Sequence, residues 1–304
     1  MRFIILLLTS MLAANAHAGT VTFTDDSGET FNLPEIPAKV VILNSSNLEL
    51  FIAAGGQPSA YAESGTMPKY LKEQIQGLPS VGTAQNPDIE RIVNMKPDLV
   101  IGMNFPFHIA LKASLQQAGI PLAVFNVQNR DDLIGKMEIF GRITGKPEQA
   151  AARVQEINTA IRTAQTRVGS GSRRVLVVYG TPESFSMALP KSFIGEMTEL
   201  AGGINVAPKN ATGGNGMMNG FAPISLEYVT MANPDVILVI THNNATAIEG
   251  SDLLGKLPAW NSLQAVKNER VYNLPFDTYG INPTVRLGTA VFELSALIYP
   301  ELYQ

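Results

Sequence analysis

The chain has 304 residues, 45% hydrophobic and 16% charged, which suits two ordinary globular units and is too apolar for a disordered protein. It contains no cysteine, so disulfides, thiolate metal sites and cysteine nucleophiles are excluded. A formal net charge of −4 gives no electrostatic footprint for nucleic acid or anionic lipid.

Residues 1–18 read as an export signal. Arg2 is a basic start, Phe3–Leu12 an apolar stretch too short to span a bilayer, and Ala16-His17-Ala18 a small-residue cleavage site. Val21–Pro34 alternates apolar and polar residues around Asp26-Ser27-Gly28, which predicts a β-hairpin. Short apolar, β-branched runs at Val40–Leu43, Leu99–Ile101 and Leu122–Phe125 predict strands buried on both faces, with helical patterns at Leu48–Ala54 and Phe107–Ala118. Pro147 suits a helix start, and Ala150, Val154, Ile157, Ile161, Ala164 and Val168 form one apolar face down to Val168. That rod is roughly 30 Å long and lies between two similar halves, which predicts a connecting strut, the alternative being a surface helix of one domain. Strands resume at Val175–Val178, Val236–Ile240 and Val271–Leu274.

The expected fold class is therefore α/β: two Rossmann-like lobes joined by a single long α-helix, with a ligand cleft between the lobes. The boundaries are 1–18 for the signal, 19–146 for the first lobe, 147–168 for the helix and 169–304 for the second lobe. An internal repeat supports the division. In "NPDIERIVNMKPDLVIG" and "APISLEYVTMANPDVILVI", Glu90 and Glu227 each lie seven residues before a Pro-Asp pair, Pro97-Asp98 and Pro234-Asp235, and a strand follows at once. The shared unit is a helix stopped by Pro and a strand entering a sheet.

With these motifs in order, the mature chain from "DDSGETFNLPEIPAKVVIL" to "RLGTAVFELSALIYPEL" resembles the ABC-importer binding proteins for ferric siderophores, cobalamin and haem. The resemblance implies a protein that captures a metal complex and presents it to a dimeric membrane permease. It also implies that the protein acts as a monomer, does not insert in the membrane and has no intrinsic cofactor. In that family one surface Glu per lobe contacts permease arginines, and Glu90 and Glu227 occupy the matching positions. The alternative for each is an acid that simply favours a helix N-terminus. An exported chain without a lipid-attachment cysteine fits a free periplasmic protein.

Ligands in open α/β sheets bind beyond the carboxyl ends of the strands. Those ends offer Asn44-Ser45-Ser46, Gln85, Met103-Asn104-Phe105, Tyr179, His242-Asn243 and Phe276 to Tyr279. This lining suits a bulky ligand held by stacking and hydrogen bonds, whereas a bare cation wants several carboxylates or histidines. Several stretches, "VILVITHNN" among them, are most similar to haem-capturing members, in which a His at the position of His242 ligates the iron. The alternative is an ordinary hydrogen-bonded His at a strand end. Those members place a Met ligand where this chain has Gln85, so Met217, Met218, Met103, Met67 or His108 would have to complete the iron sphere, or it stays five-coordinate. Each of these also fits plain packing. Arg286 either meets an anionic ligand group or is a solvated residue at a helix start. Tyr279 and Phe276 are placed to stack on a planar ligand. A ferric siderophore, cobalamin or another chelate remains the alternative cargo. A metal chelatase is the enzymatic alternative, although no G-x-S-x-G, P-loop or H-E-x-x-H motif is present.

Overall fold

The computed structural model describes residues 19–65, 67–181, 184–211, 213, 220–241 and 258–304. Its first half contains strands β1 (Val21–Thr24), β2 (Thr30–Leu33), β3 (Val40–Ile42), β4 (Ala60–Glu63), β5 (Ser80–Thr83), β6 (Asn86–Pro87), β7 (Leu99–Gly102) and β8 (Leu122–Val124). Helices α1 (Ser45–Ala53), α2 (Lys69–Gln74), α3 (Ile89–Met95), α4 (Pro106–Ile109), α5 (Lys112–Gln117) and α6 (Arg130–Ile143) alternate with them. Helix α7 (Pro147–Val168) follows. The second half has strands β9 (Arg174–Thr181), β10 (Ser184–Ala188), β11 (Ile204–Asn205), β12 (Phe221–Pro223), β13 (Val236–Thr241) and β14 (Val271–Leu274). Its helices are α8 (Phe193–Leu200), α9 (Leu226–Ala232), α10 (Gln264–Lys267) and α11 (Leu287–Ile298).

Strands β1 and β2 pair as the expected antiparallel hairpin, with Val21, Phe23 and Phe31 buried. The first large sheet has the order β6-β5-β4-β3-β7-β8 and is parallel except for β6. The second has the order β12-β10-β9-β13-β14, with β11 beside the start of β9. This sheet is not wholly parallel: β9 runs on through Tyr179 to Thr181 and pairs antiparallel with β10, which pairs antiparallel with β12. The helical pattern over Phe107–Ala118 also divides. Leu111 N–H bonds back three residues to His108 O instead of four, and α4 ends there.

The repeat has a structural cause. Helix α3 ends on Lys96 and α9 on Asn233, both in the left-handed conformation, one residue before the Pro. The Asp that follows each Pro ties two neighbouring strands together. Asp98 Oδ2 accepts the N–H of Lys39 at 2.7 Å, and Asp98 N–H donates to Lys39 O at 2.9 Å. Asp235 Oδ2 accepts the N–H of Arg174 at 2.8 Å, and Asp235 N–H donates to Arg174 O at 2.8 Å. Each Pro-Asp pair thus sets the register of two central strands at their amino ends.

Every strand of the first sheet precedes α7 and every strand of the second follows it. Its face carries Ala150, Ile157, Ile161 and Ala164 in the core, packed against α6 and α11, while Arg153, Glu156, Arg162 and Arg167 are exposed. Two glycines allow the close approach. A Cβ on Gly141 of α6 would lie 2.8 Å from Ala150 Cβ, and one on Gly288 of α11 would lie 2.9 Å from Ala160 Cβ and from Ile157 O. One continuous apolar core consequently runs from β3 and β7 through α7 to β9 and β13.

Candidate functional site

The strands of both sheets end around a cleft of about 540 Å³. The first sheet contributes Asn44 and Ser46 after β3, Met103 and Phe105 after β7, and residues 125–128 after β8. The second half contributes residues 191–194 at the start of α8, Gly220 and Phe221 at β12, and residues 279–282 after β14. A broader groove of about 680 Å³ runs along the exposed face of α7, but it is shallow and neither sheet reaches it.

Buried amides hold the cleft wall. The amide nitrogen of Asn47 on α1 reaches Asn44 Oδ1 at 2.8 Å, Gly102 O at 2.8 Å and Phe125 O at 3.1 Å. It pins the ends of β3, β7 and β8 together, so the wall is set before any ligand arrives. The turn of the β1–β2 hairpin buttresses it from behind. Asp26 pairs with Lys136 and accepts the N–H of Asn126 at 2.6 Å, while its carbonyl accepts from Asn104 Nδ2 at 2.9 Å.

Of the sequence-derived site residues, Asn44, Met103 and Tyr279 line the cleft. Ser45 does not; α1 begins there, and Ser46 faces the cleft instead. Asn104 stands behind the wall, bonded to Asp26 and Asn126. Gln85 is exposed in the turn between β5 and β6. Tyr179, displaced inward by the longer β9, sits behind Phe221 with ring centroids 5.0 Å apart, and burial pushes its hydroxyl up to about 12. The Tyr279 hydroxyl donates to Glu293 Oε2 at 2.8 Å, which leaves its ring toward the cleft. Burial, then the Glu293 hydrogen bond and charge, raise its pKa. His242 and Met217 lie outside the described residues. Glu90 and Glu227 are exposed in the first turns of α3 and α9, in matching places of the repeat. Residues 125–128 and 191–194 were missed as lining. The strand end at Val124 was a usable signal for the first set, and the Ser192 cap of α8 for the second.

Arg286 is turned away from the cleft. Its Nη atoms donate to Thr278 Oγ1 and Asp277 O at 2.9 Å, its Nε lies 3.7 Å from Glu49 Oε1, and its guanidinium stacks 5.0 Å over the Tyr70 ring. Tyr70 donates its hydroxyl to the same Glu49 carboxylate. Burial raises the Glu49 pKa, opposed by Thr284, Tyr70 and Arg286. Two further bonds cross between the halves near the cleft floor: Asn282 Nδ2 to Val127 O at 2.7 Å and Arg130 N–H to Glu196 Oε2 at 2.9 Å.

His108 packs behind Met103 and is not among the residues lining the cleft. It is fully buried, and its Nδ1 accepts the Met103 N–H at 2.9 Å, so Nε2 carries the proton. Burial pushes its pKa down from 6.5 to about 4, opposed in part by the backbone of Ala84. A depressed folded-state value means that His108 contributes stability that is complete above pH 6.5 and lost as pH falls toward 4. The unfolding free energy of wild type minus that of His108→Gln should fall by up to ~3 kcal/mol across that window. Taking the difference cancels Glu49 and Glu196, whose raised values act in the opposite direction. A flat difference would show that the imidazole is not held neutral.

The Periplasmic binding protein family matches residues 40–278. The chain is 25% identical over 293 residues to YvrC of Bacillus subtilis, an uncharacterized ABC transporter substrate-binding lipoprotein, covering 93% of this chain and 87% of that one. It is 22% identical over 306 residues to the Staphylococcus aureus high-affinity heme uptake system protein IsdE, covering 98% and 97%. Among solved structures, the periplasmic catecholate-siderophore binding protein VctP of Vibrio cholerae superposes with a TM-score of 0.72 at 20% identity, over 91% of this chain and 99% of that one. At that identity the likeness speaks for the fold, and the fold is the two-lobed one. The family and the curated relatives are of binding proteins rather than enzymes, and the chelatase alternative finds no support among them. With the family match spanning residues 40–278, this chain belongs to the periplasmic binding protein family.

Proposed function

We propose that the chain is the substrate-binding protein of an ABC importer, exported behind a signal over residues 1–18, which captures an iron complex, haem in the first instance, and delivers it to a dimeric permease. The observation that carries this reading is the aromatic cleft. Phe105 and Phe125 come from one side, and Phe193, Phe221 and Tyr279 from the other, a pairing that suits a flat ligand held between two lobes. The lobes are 19–146 and 169–304, with α7 as the strut between them. His242, one residue beyond β13, is the iron ligand in this reading. Met103, which lines the cleft, is better placed than the exposed Gln85 to approach the opposite face of the iron. A ferric siderophore is the second reading, favoured by the fold likeness to a catecholate-siderophore binder. In this reading the protein works free in the periplasm.

Delivery runs through Glu90 and Glu227, one per lobe. Reversing both, Glu90→Lys with Glu227→Lys, should abolish uptake of the complex in cells while its affinity for the purified protein stays within about twofold, since exposed charges remote from a site contribute little to it. Normal uptake by the double variant, or a collapse of affinity, would remove the docking role.

A further inference from the structure

Among the described residues that line the cleft, Lys191 is the one charged side chain. It is exposed, lies just before the Ser192 cap of α8, and forms no ion pair with another described residue. Several of the polar side chains around it are already committed. The Asn282 amide bonds to Val127 O and Thr284 N–H, the Ser192 hydroxyl to Leu189 O and Gly195 N–H, and the Asn126 amide to the Asn104 backbone. The Tyr279 hydroxyl is tied to Glu293. The walls therefore offer ring faces with the neutral Ser46 and Gln128 side chains among them, and the rim offers one ammonium group. One ammonium balances one negative charge, a second at the open rim can stay in water, and any further charge drawn between the rings would be desolvated without a partner.

We propose that Lys191 pairs with a carboxylate on the edge of a flat ligand, and that the cleft selects mono- or dianionic complexes over trianionic ferric catecholates. The proposal rests on the reading of the cleft as the binding site for an iron complex. The test compares hemin, hemin dimethyl ester and a ferric tris-catecholate as ligands of wild type, Lys191→Gln and Lys191→Glu. Lys191→Gln should weaken hemin binding about three- to tenfold, within the range of a partly exposed charge-assisted pair, and Lys191→Glu should weaken it further. Binding of the ester, which keeps the iron and the ring but has no carboxylate, should be unchanged in all three proteins. Wild type should hold the tris-catecholate at least tenfold more weakly than hemin. Equal hemin affinity in wild type and Lys191→Gln, or equal losses for hemin and ester, overturns the role of Lys191 and leaves the haem reading standing. Tight binding of the tris-catecholate with no binding of hemin or ester overturns both.

Discussion

Replacing Gly288 with Leu should cost more than ~3 kcal/mol of stability, because the new side chain has no free volume at the α7–α11 contact. Even a methyl group would meet Ala160 Cβ at 2.9 Å, Ile157 O at 2.9 Å and Ile157 Cα at 3.1 Å. Two of those atoms are backbone of α7 and cannot rotate away. Gly288→Ala is the more informative variant, because helix propensity and packing pull in opposite directions. Propensity alone would stabilise α11, by at most about 1 kcal/mol at this first-turn position. The contact predicts a net loss instead, read as a lower guanidinium midpoint by fluorescence of Trp260, the chain's one tryptophan, which is buried in the second half. A raised midpoint would mean that α7 and α11 do not approach this closely. Gly141 holds the same place at the α6 contact, with Ala150 Cβ at 2.8 Å. The two glycines let α7 pack into the core against α6 and α11 rather than stand off as an exposed rod.

The second large effect concerns the buried pair that crosses between the halves. Arg286→Met should cost about 3–5 kcal/mol at pH 8, because the Glu49 carboxylate, 5% exposed, would stay buried with its cation gone. The sign of its pH dependence follows from Glu49, whose pKa burial has already raised. Losing the cation raises it further, so the variant recovers stability as pH falls and the carboxyl takes up a proton. Glu49→Leu combined with Arg286→Met should restore most of the loss, since an apolar pair leaves no charge stranded. A single variant as stable as wild type at pH 8 would show that Arg286 does not neutralise Glu49.

The central strands were legible because residues buried on both faces read as continuous β-branched runs, as at Val40–Ile42, Leu99–Gly102 and Val236–Thr241. The face of α7 was legible from its spacing, and Ala150, Ile157, Ile161 and Ala164 are buried as that spacing requires. Strands β4 and β5 were not legible. "AYAE" and "SVGT" carry small residues and a glycine with φ +90°, so backbone pairing, not side-chain hydrophobicity, places them. Strand β10 escaped notice because its reversal gives Tyr179 a sheet position that the apolar run ending at Val178 does not foretell. Within the cleft, residue type at a strand end identified Asn44 and Met103. It could not tell Ser45 from Ser46, since one residue along a helix rotates the side chain by about 100°. Arg286 was misplaced for a longer-range reason: its partners Glu49 and Tyr70 are more than two hundred residues away in the chain.

Whether the cleft captures haem is read by optical titration with hemin. Wild type should show saturable one-to-one binding with a sharp Soret band distinct from that of free hemin, lost or displaced in His242→Ala while the aromatic cleft still retains weaker binding. No saturable change with wild type would contradict haem as the cargo, and an identical spectrum in His242→Ala would contradict His242 as the iron ligand.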